Sequence, residues 1–273
     1  MQQQLLNSAG MNTTSLKQSI ESSVKELAGL TDQAKISEWF KSYIETAAKF
    51  NRYSLCNQLL IMFQMPTASR VCGFVSWNKL GRHVKKGCRG IRILAPSIKT
   101  IERENAKGNT EEKVITNFFP VSVFDISQTE GKDLPDVDLE TKYNGDKELM
   151  QKLTDFCSKI NVKIELKQLS EELFGYSQGG LIVLNETKTF PTMLSTFVHE
   201  IAHELLHHKD SRLSRGEREI QAEGTAFVVC KHFGAEPKSF NYLAIYNADY
   251  KKIMQNLEAI SETSKRIIES IEV

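Results

Sequence analysis

The sequence predicts an α+β protein. N-terminal helices and a small β-rich domain occupy residues 1–140, and a mainly helical domain with a short sheet occupies residues 141–273. Three observations predict this. Apolar residues recur at helical spacing from Ser15 to about Phe63. Short β-rich runs separated by Gly, Pro and charged stretches replace them between Arg70 and Phe124. A polar, acidic stretch at residues 127–148 then separates this half from a second one with its own helix and strand signals.

Taken in order, the first dozen residues are polar and lack the basic and apolar regions of a signal peptide. Leu27, Leu30, Ile36, Phe40, Ile44 and Ala47 then mark helical faces, and Ser54 is placed to cap a further helix through LCNQLLIMFQ. GFVSW, GIRILAP and NFFPVSVFDI read as strands, with ERENAKGNTEEK (residues 102–113) as a solvated hairpin loop and residues 127–148 as the linker. In the second half a helix is expected near Lys147–Ile160 and a strand at Lys163–Lys167, and Gly179-Gly180 leads into the apolar strand LIVLN. Pro191 suits the first turn of a helix running to about His207. Ser214 and Glu217 form a capping box for the next, which stops at Gly234, and the tail from Tyr242 to Ile271 is helical.

Bulk properties exclude several classes. Hydrophobic residues make up 40% and charged residues 25% of 273, so a core forms without staples. The five cysteines (Cys56, Cys72, Cys88, Cys157, Cys230) form no CxxC pair. That argues against a zinc ribbon or a thioredoxin-like motif and fits a reducing compartment. No apolar run approaches the roughly 20 residues a bilayer span needs. The expectation is a soluble cytoplasmic protein.

The chemistry concentrates in Thr196-Phe-Val-His-Glu-Ile-Ala-His-Glu-Leu-Leu-His-His, which holds HExxH at residues 199–203. On a helix, positions four apart share a face, so His199 and His203 can give two nitrogens to one Zn2+ ion. Zinc lowers the pKa of its bound water toward about 7, and Glu200 is placed to take that proton as catalytic base. A catalytic site needs a third protein ligand and an open fourth position. The following helix, EREIQAEGTAFVV, offers Glu219 as that ligand, with small residues Ala222, Gly224 and Ala226 permitting close packing. Glu223, one turn on, is then expected to hydrogen-bond the far nitrogen of a ligating histidine. Glu217 competes for the ligand role from a different face. His207 and His208 read as bystanders, one packed and one solvated, and His83 and His232 as structural or exposed. The strand Leu181–Asn185 is expected to hold an extended peptide beside the metal helix, and Tyr176 reads as a half-buried aromatic.

A second signal lies upstream. Residues 46–101 contain no Asp or Glu but ten Lys or Arg, interleaved with Phe50, Tyr53, Phe63, Phe74 and Trp77. Cations that follow phosphates and aromatics that stack on bases are the recipe for single-stranded nucleic acid. The bland alternative is a solvated basic face, with Phe63, Phe74 and Trp77 in the core.

The stretches FNRYSLCNQLLIMFQMPTASRVCGFVSWNKLGRHVKKGCRGIRILAP and FFPVSVFDISQTEGKDLP resemble the N-terminal domain of ArdC-type antirestriction proteins. VHEIAHELLHH followed by EREIQAEGTAFVVCKHFG resembles both the ArdC C-terminal metallopeptidase domain and the ImmA/IrrE-like peptidases. The resemblance implies a single-stranded DNA-binding domain over residues 1–140 and a zincin-like peptidase domain over 141–273, from a mobile element and protecting incoming DNA from restriction. It implies His199, His203 and Glu219 as zinc ligands and Glu200 as base. It also places the DNA-binding role on the region of Tyr53, Asn57, Arg70, Trp77, Arg82, Lys85 and Lys86, with Arg89 and Arg92 in the same basic run.

Three functions are compatible with this sequence. The first is a zinc peptidase coupled to single-stranded DNA that cuts an unidentified protein substrate. The second is a single-strand-binding antirestriction protein whose zinc is structural or silent. The third is an ImmA-like peptidase that cleaves a mobile-element repressor.

Overall fold

The computed structural model describes residues 12–30, 32–104, 110–134, 146–207, 213–235 and 248–272. It is mixed helix and strand, as the periodicities predict. The chain divides into two compact units, residues 1–23 with 59–134 and residues 24–58 with 135–273. Helices α1 (Thr13–Ala28), α2 (Gln33–Lys49) and α3 (Leu55–Gln64) come first.

The first unit is built on β1 (Val71–Gly73), β3 (Ile91–Glu104) and β4 (Thr110–Asp125), in the order β1-β4-β3 and all antiparallel. A short helix α4 (Phe74–Lys79) leads into β2 (Arg82–Val84), which pairs with β5 (Thr129–Gly131). Ile91, Ile93 and Val123 carry the buried face. The expected hairpin loop at 102–113 is largely ladder, paired from Ile91↔Val123 out to Glu104↔Thr110. The β-branched Thr100, Ile101, Val114, Ile115 and Thr116 flank that stretch and favour an extended pleat that carries the pairing on into it. Part of the expected linker is also ordered, as β5, while residues 135–145 lie outside the described residues.

Asp125 fixes the corner where β1 and β4 end. Its buried carboxylate accepts from the backbone N–H of Ser69 (2.7 Å), Arg70 (3.0 Å) and Ser127 (3.0 Å). Burial alone would raise its pKa, but these donors outweigh it and hold the group below the usual carboxylate range.

In the second unit β6 (Lys163–Lys167), β8 (Leu181–Asn185) and β7 (Gly175–Ser177) form a sheet in the order β6-β8-β7. Helices α5 (Asp146–Lys159), α6 (Phe190–Leu206), α7 (Arg215–His232) and α8 (Tyr250–Glu272) complete it. β8 runs parallel to β6 and antiparallel to β7, and its Ile182, Val183 and Leu184 are fully buried. An unbroken apolar run is what a strand covered on both faces requires. Buried Gln58 ties distant segments together. Its amide donates to the carbonyls of Phe50 (3.2 Å) and Tyr53 (3.1 Å), and its oxygen accepts from Ser261 on α8 at 3.2 Å. Beside it the Tyr43 hydroxyl donates to Leu257 O at 3.1 Å, and burial pushes that phenol well above its ordinary pKa. Among the described residues no helix is long and apolar enough to cross a membrane.

Gly175 sets the distance between β7 and α6. A Cβ there would lie 2.8 Å from Val183 O and 2.9 Å from Thr196 Cγ2, one helical turn before His199. Gly175→Ala should therefore destabilise the protein by about 1–3 kcal/mol through overpacking, read as a lower urea midpoint at unchanged slope. An unchanged midpoint would show that the helix is free to back away.

Candidate metal centre

Helix α6 has one apolar and one polar side. Leu194, Phe197, Val198, Ile201 and Ala202 are fully buried, and His199, His203 and His207 follow one another at steps of four. Each step leaves the side chains about 40° apart around the axis. The Nε2 atoms of His199 and His203 accordingly face each other at 2.9 Å.

The third donor comes from α7. Ser214 and Glu217 form the expected capping box, Ser214 Oγ accepting from Glu217 N (3.2 Å) and the Glu217 carboxylate from Ser214 N (2.9 Å). Those Ser214 hydrogen bonds hold Glu217 below its usual pKa and commit it to the cap. Two residues later Glu219 turns toward the histidines, with Oε2 at 3.5 Å from His199 Nε2 and Oε1 at 3.9 Å from His203 Nε2. One atom each from His199, His203 and Glu219 lies within 4.8 Å of the others, which no other group of three His, Cys, Asp or Glu achieves among the described residues. Glu219 is the acid that converges on the histidine pair.

The protonation states suit a cation. Burial first, and then His199, push His203 down to about 4. Burial also lowers His207, while a hydrogen bond from His199 lowers Glu219. Near neutral pH the cluster therefore offers ring lone pairs and a carboxylate, as metal binding needs. The donors fit a divalent ion, as two nitrogens and one oxygen from two rigid helices, with the Glu219 side chain still 42% exposed on one side. Glu200 is buried at 7% exposure directly after His199, and Glu223 is half-buried one turn beyond Glu219.

Two contacts escaped the sequence reading. The Glu204 carboxylate accepts from Gly179 N (3.1 Å), Gly180 N (2.9 Å) and Ser177 Oγ, clamping the turn between β7 and β8 onto the metal helix. That turn needs glycine, because both residues have left-handed φ angles of 72° and 85°. His207 is no bystander either. Its Nδ1 stands 2.8 Å from Nδ1 of His203, so His207 meets the nitrogen of His203 that faces away from His199. The repeat of histidine at i, i+4 and i+8 was the available signal. His208 lies outside the described residues. His83 meets Asn78 at 2.9 Å and His232 meets Glu272 at 3.1 Å, and neither belongs to the converging group.

The strand expected to hold peptide requires a correction. Leu181–Asn185 is the central strand, paired on both sides, so its backbone groups are already satisfied. The edge packed against α6 is β7, which includes the half-buried Tyr176.

The basic segment divides by role. Trp77 is 2% exposed and donates its indole N–H to Phe124 O at 2.9 Å, so it is a core residue and not a stacking surface. Arg82 binds Thr129 and the Lys132 carbonyl, and Arg92 binds Ser122 Oγ and Pro120 O, so both guanidinium groups brace the strands. Asn57 is buried and Tyr53 half-buried, and both belong to the other compact unit. Arg70 is half-buried with its backbone N–H on Asp125. Lys85, Lys86 and Arg89 are exposed, Lys85 donating to Ser127 O at 3.0 Å. The exposed rings of this unit are Phe74 (53%), Phe118 (46%) and Phe119 (47%). The exposure of Phe74 goes against the bland alternative, which places it in the core. Adjacent Phe118 and Phe119 on one strand point to opposite faces, a pattern that could have marked one of them as exposed.

Two stretches of the chain match known families. Residues 16–124 match the model of the N-terminal domain of anti-restriction factor ArdC, and residues 157–230 match the IrrE N-terminal-like domain of the M78 peptidase family. An uncharacterized protein of Bacillus anthracis is 29% identical over 94% of this chain and 51% of its own length, so the chain spans about half of that relative. The metal-free crystal structure of the antirestriction ArdC protein from plasmid R388 is similar in fold, with a TM-score of 0.51 and 18% identity, over 81% of this chain and 85% of that one. The Mn(II)-bound structure of that protein aligns with a TM-score of 0.48 at 20% identity, over 80% and 85% of the two chains.

The buried histidines make a prediction for the metal-free protein. His203 has a folded pKa of about 4, below its ordinary 6.5. As pH falls from 6.5 to 4 the unfolded chain gains a proton that the folded chain refuses, so stability falls across that window. His207 and Glu219 act in the same direction. The melting temperature should therefore drop through this range, and His203→Gln should flatten the slope. A melting temperature that rises with acid would contradict the assignment.

Proposed function

From the premise that the chain is an ArdC-type protein, we propose that it is a zinc-dependent endopeptidase coupled to single-stranded DNA, acting in the cytoplasm to protect incoming mobile DNA from restriction. The observation that carries the reading is the convergence of His199, His203 and Glu219 from two helices, with Glu200 buried beside the first of them.

His199, His203 and Glu219 are the residues that hold the ion, which supplies Lewis acidity when bound. A set of two histidines and one carboxylate with an open side suits Zn2+ in a catalytic site. Glu200 takes the proton from the attacking water and returns it to the leaving amine. Glu223 is assigned to the far nitrogen of a ligating histidine. An extended substrate pairs with the edge of β7, which lies against the metal helix. In the other unit Lys85, Lys86 and Arg89 meet phosphates, Phe74 offers a ring to a base, and the half-buried Arg70 is a further candidate cation. Arg82, Arg92 and Trp77 support that surface from within, while Tyr53 is half-buried and Asn57 buried in the other compact unit. The exposed rings and cations also support a second reading, in which coating of the single strand alone protects the DNA.

Elemental analysis should find about one zinc per chain, with sharp loss in Glu219→Ala and full retention in Glu217→Ala; loss in the second instead would move the ligand. Glu200→Gln should keep the metal and lower the catalysed rate by about 100- to 10,000-fold. Its readout is transfer of unmodified DNA into a restricting host. Full protection by Glu200→Gln would sink the peptidase reading and leave the coating one. For DNA, Lys85→Ala with Lys86→Ala should reduce the slope of log affinity against log salt on a single-stranded oligonucleotide by about 1.4, two phosphate contacts' worth. An unchanged slope would remove these lysines from the interface.

A further inference from the structure

A chain of half-buried and buried polar groups begins on one of the converging histidines and ends on the main chain. Nδ1 of His203 meets Nδ1 of His207 at 2.8 Å, and Nε2 of His207 meets Gln221 Oε1 at 3.1 Å. Gln221 Nε2 meets Asn256 Oδ1 at 2.8 Å, and Asn256 Nδ2 meets Lys252 O at 3.0 Å. The chain crosses from α6 through α7 to α8, and Gln221 and Asn256 are each 4% exposed, so water hardly competes for their amides.

Its direction is fixed from the far end. A main-chain carbonyl can only accept, so Asn256 must turn its amide nitrogen toward Lys252 O. Its oxygen then faces Gln221 and accepts from Nε2, which leaves the Gln221 oxygen facing His207. His207 must therefore carry its hydrogen on Nε2. A neutral imidazole has one N–H, so Nδ1 of His207 is an acceptor and Nδ1 of His203 is the donor to it. His203 is left with its lone pair on Nε2, the atom that faces His199 and Glu219. Reversing any link would set the Asn256 oxygen against the Lys252 oxygen.

We propose that Gln221 and Asn256 are positioning residues that act through His207 to lock His203 in the Nδ1–H tautomer, with the Nε2 lone pair presented to the metal. The inference rests on the metal reading above and extends it by three residues, His207, Gln221 and Asn256, none of which belongs to the converging group of ligands. Removing the acceptor for His207 would let its hydrogen move to Nδ1. His203 would then accept there and carry its own hydrogen on Nε2, where it competes with the cation.

The test uses full-length protein with nitrogen-15-labelled histidine. Long-range proton–nitrogen spectra of the metal-free wild type should show the hydrogen of His203 on Nδ1; finding it on Nε2 would overturn the proposal without any variant. Gln221→Leu should lose that preference and bind zinc about 10- to 100-fold more weakly in competition with a chromophoric chelator. Gln221→Glu keeps an acceptor for His207, so it should retain both the tautomer and the affinity, whatever its melting temperature. A merely structural role would lower the melting temperature in both variants and leave the tautomer unmoved, and that pattern would also overturn the proposal. A wild type that binds no zinc yet holds His203 as Nδ1–H would defeat the metal reading while upholding the relay.

Discussion

Two imidazoles four residues apart on a helix make only half of a metal site, so the packing of α6 against α7 is the constraint on which everything else here depends. Glu219 reaches the histidines because α7 comes close, and α7 comes close because Ala222, Gly224, Thr225 and Ala226 are small and buried along it. Neither helix is free to slide. The capping box at Ser214 fixes where α7 begins, and the Glu204 carboxylate pins α6 to the glycine turn beside β7. Ligand geometry in this chain is thus decided by residues that never touch the ion.

Periodicity and capping signals located most of this directly. The metal helix, the carboxylate helix, β6 and β8 lie where apolar spacing, Pro191, the Ser214–Glu217 pair and the Gly234 stop place them. Local sequence failed where an interaction between segments decides the outcome. No pattern within LIVLN distinguishes a central strand from an edge, because that depends on which neighbours it finds. Trp77, Arg82 and Arg92 looked like a nucleic-acid surface because composition counts charges and rings but not their direction. In the fold those three complete hydrogen bonds to backbone or hydroxyl groups of strands far along the chain. The basic run carries two duties, bracing a small sheet and presenting cations, and only exposure separates them.

Burial explains why the polar groups of the second unit are arranged as chains. A buried amide or hydroxyl without a partner costs about 1–3 kcal/mol, and several buried amides here recruit partners that are satisfied in turn. Gln58 resolves this by bridging the carbonyls of Phe50 and Tyr53 to Ser261. Asn185 does so by holding the 170–173 loop through the carbonyls of Ser170 and Leu173. These networks hold segments far apart in sequence, which is why α2 and α8 share a core with helices that they do not adjoin in the chain.

The same requirement has a sharper consequence beside the histidines. An apolar second layer would position the rings by shape, but it could not distinguish one imidazole tautomer from the other, because the two have nearly the same volume. Only a directional contact can do that, and a contact made by a side chain amide is directional only if the amide itself cannot flip. The carbonyl of Lys252, fixed within helix α8, supplies that last restriction. The C-terminal helix then matters to the site in a way that distance alone would not suggest. It sets the polarity of a line of hydrogen bonds whose other end is the nitrogen that a cation needs unprotonated.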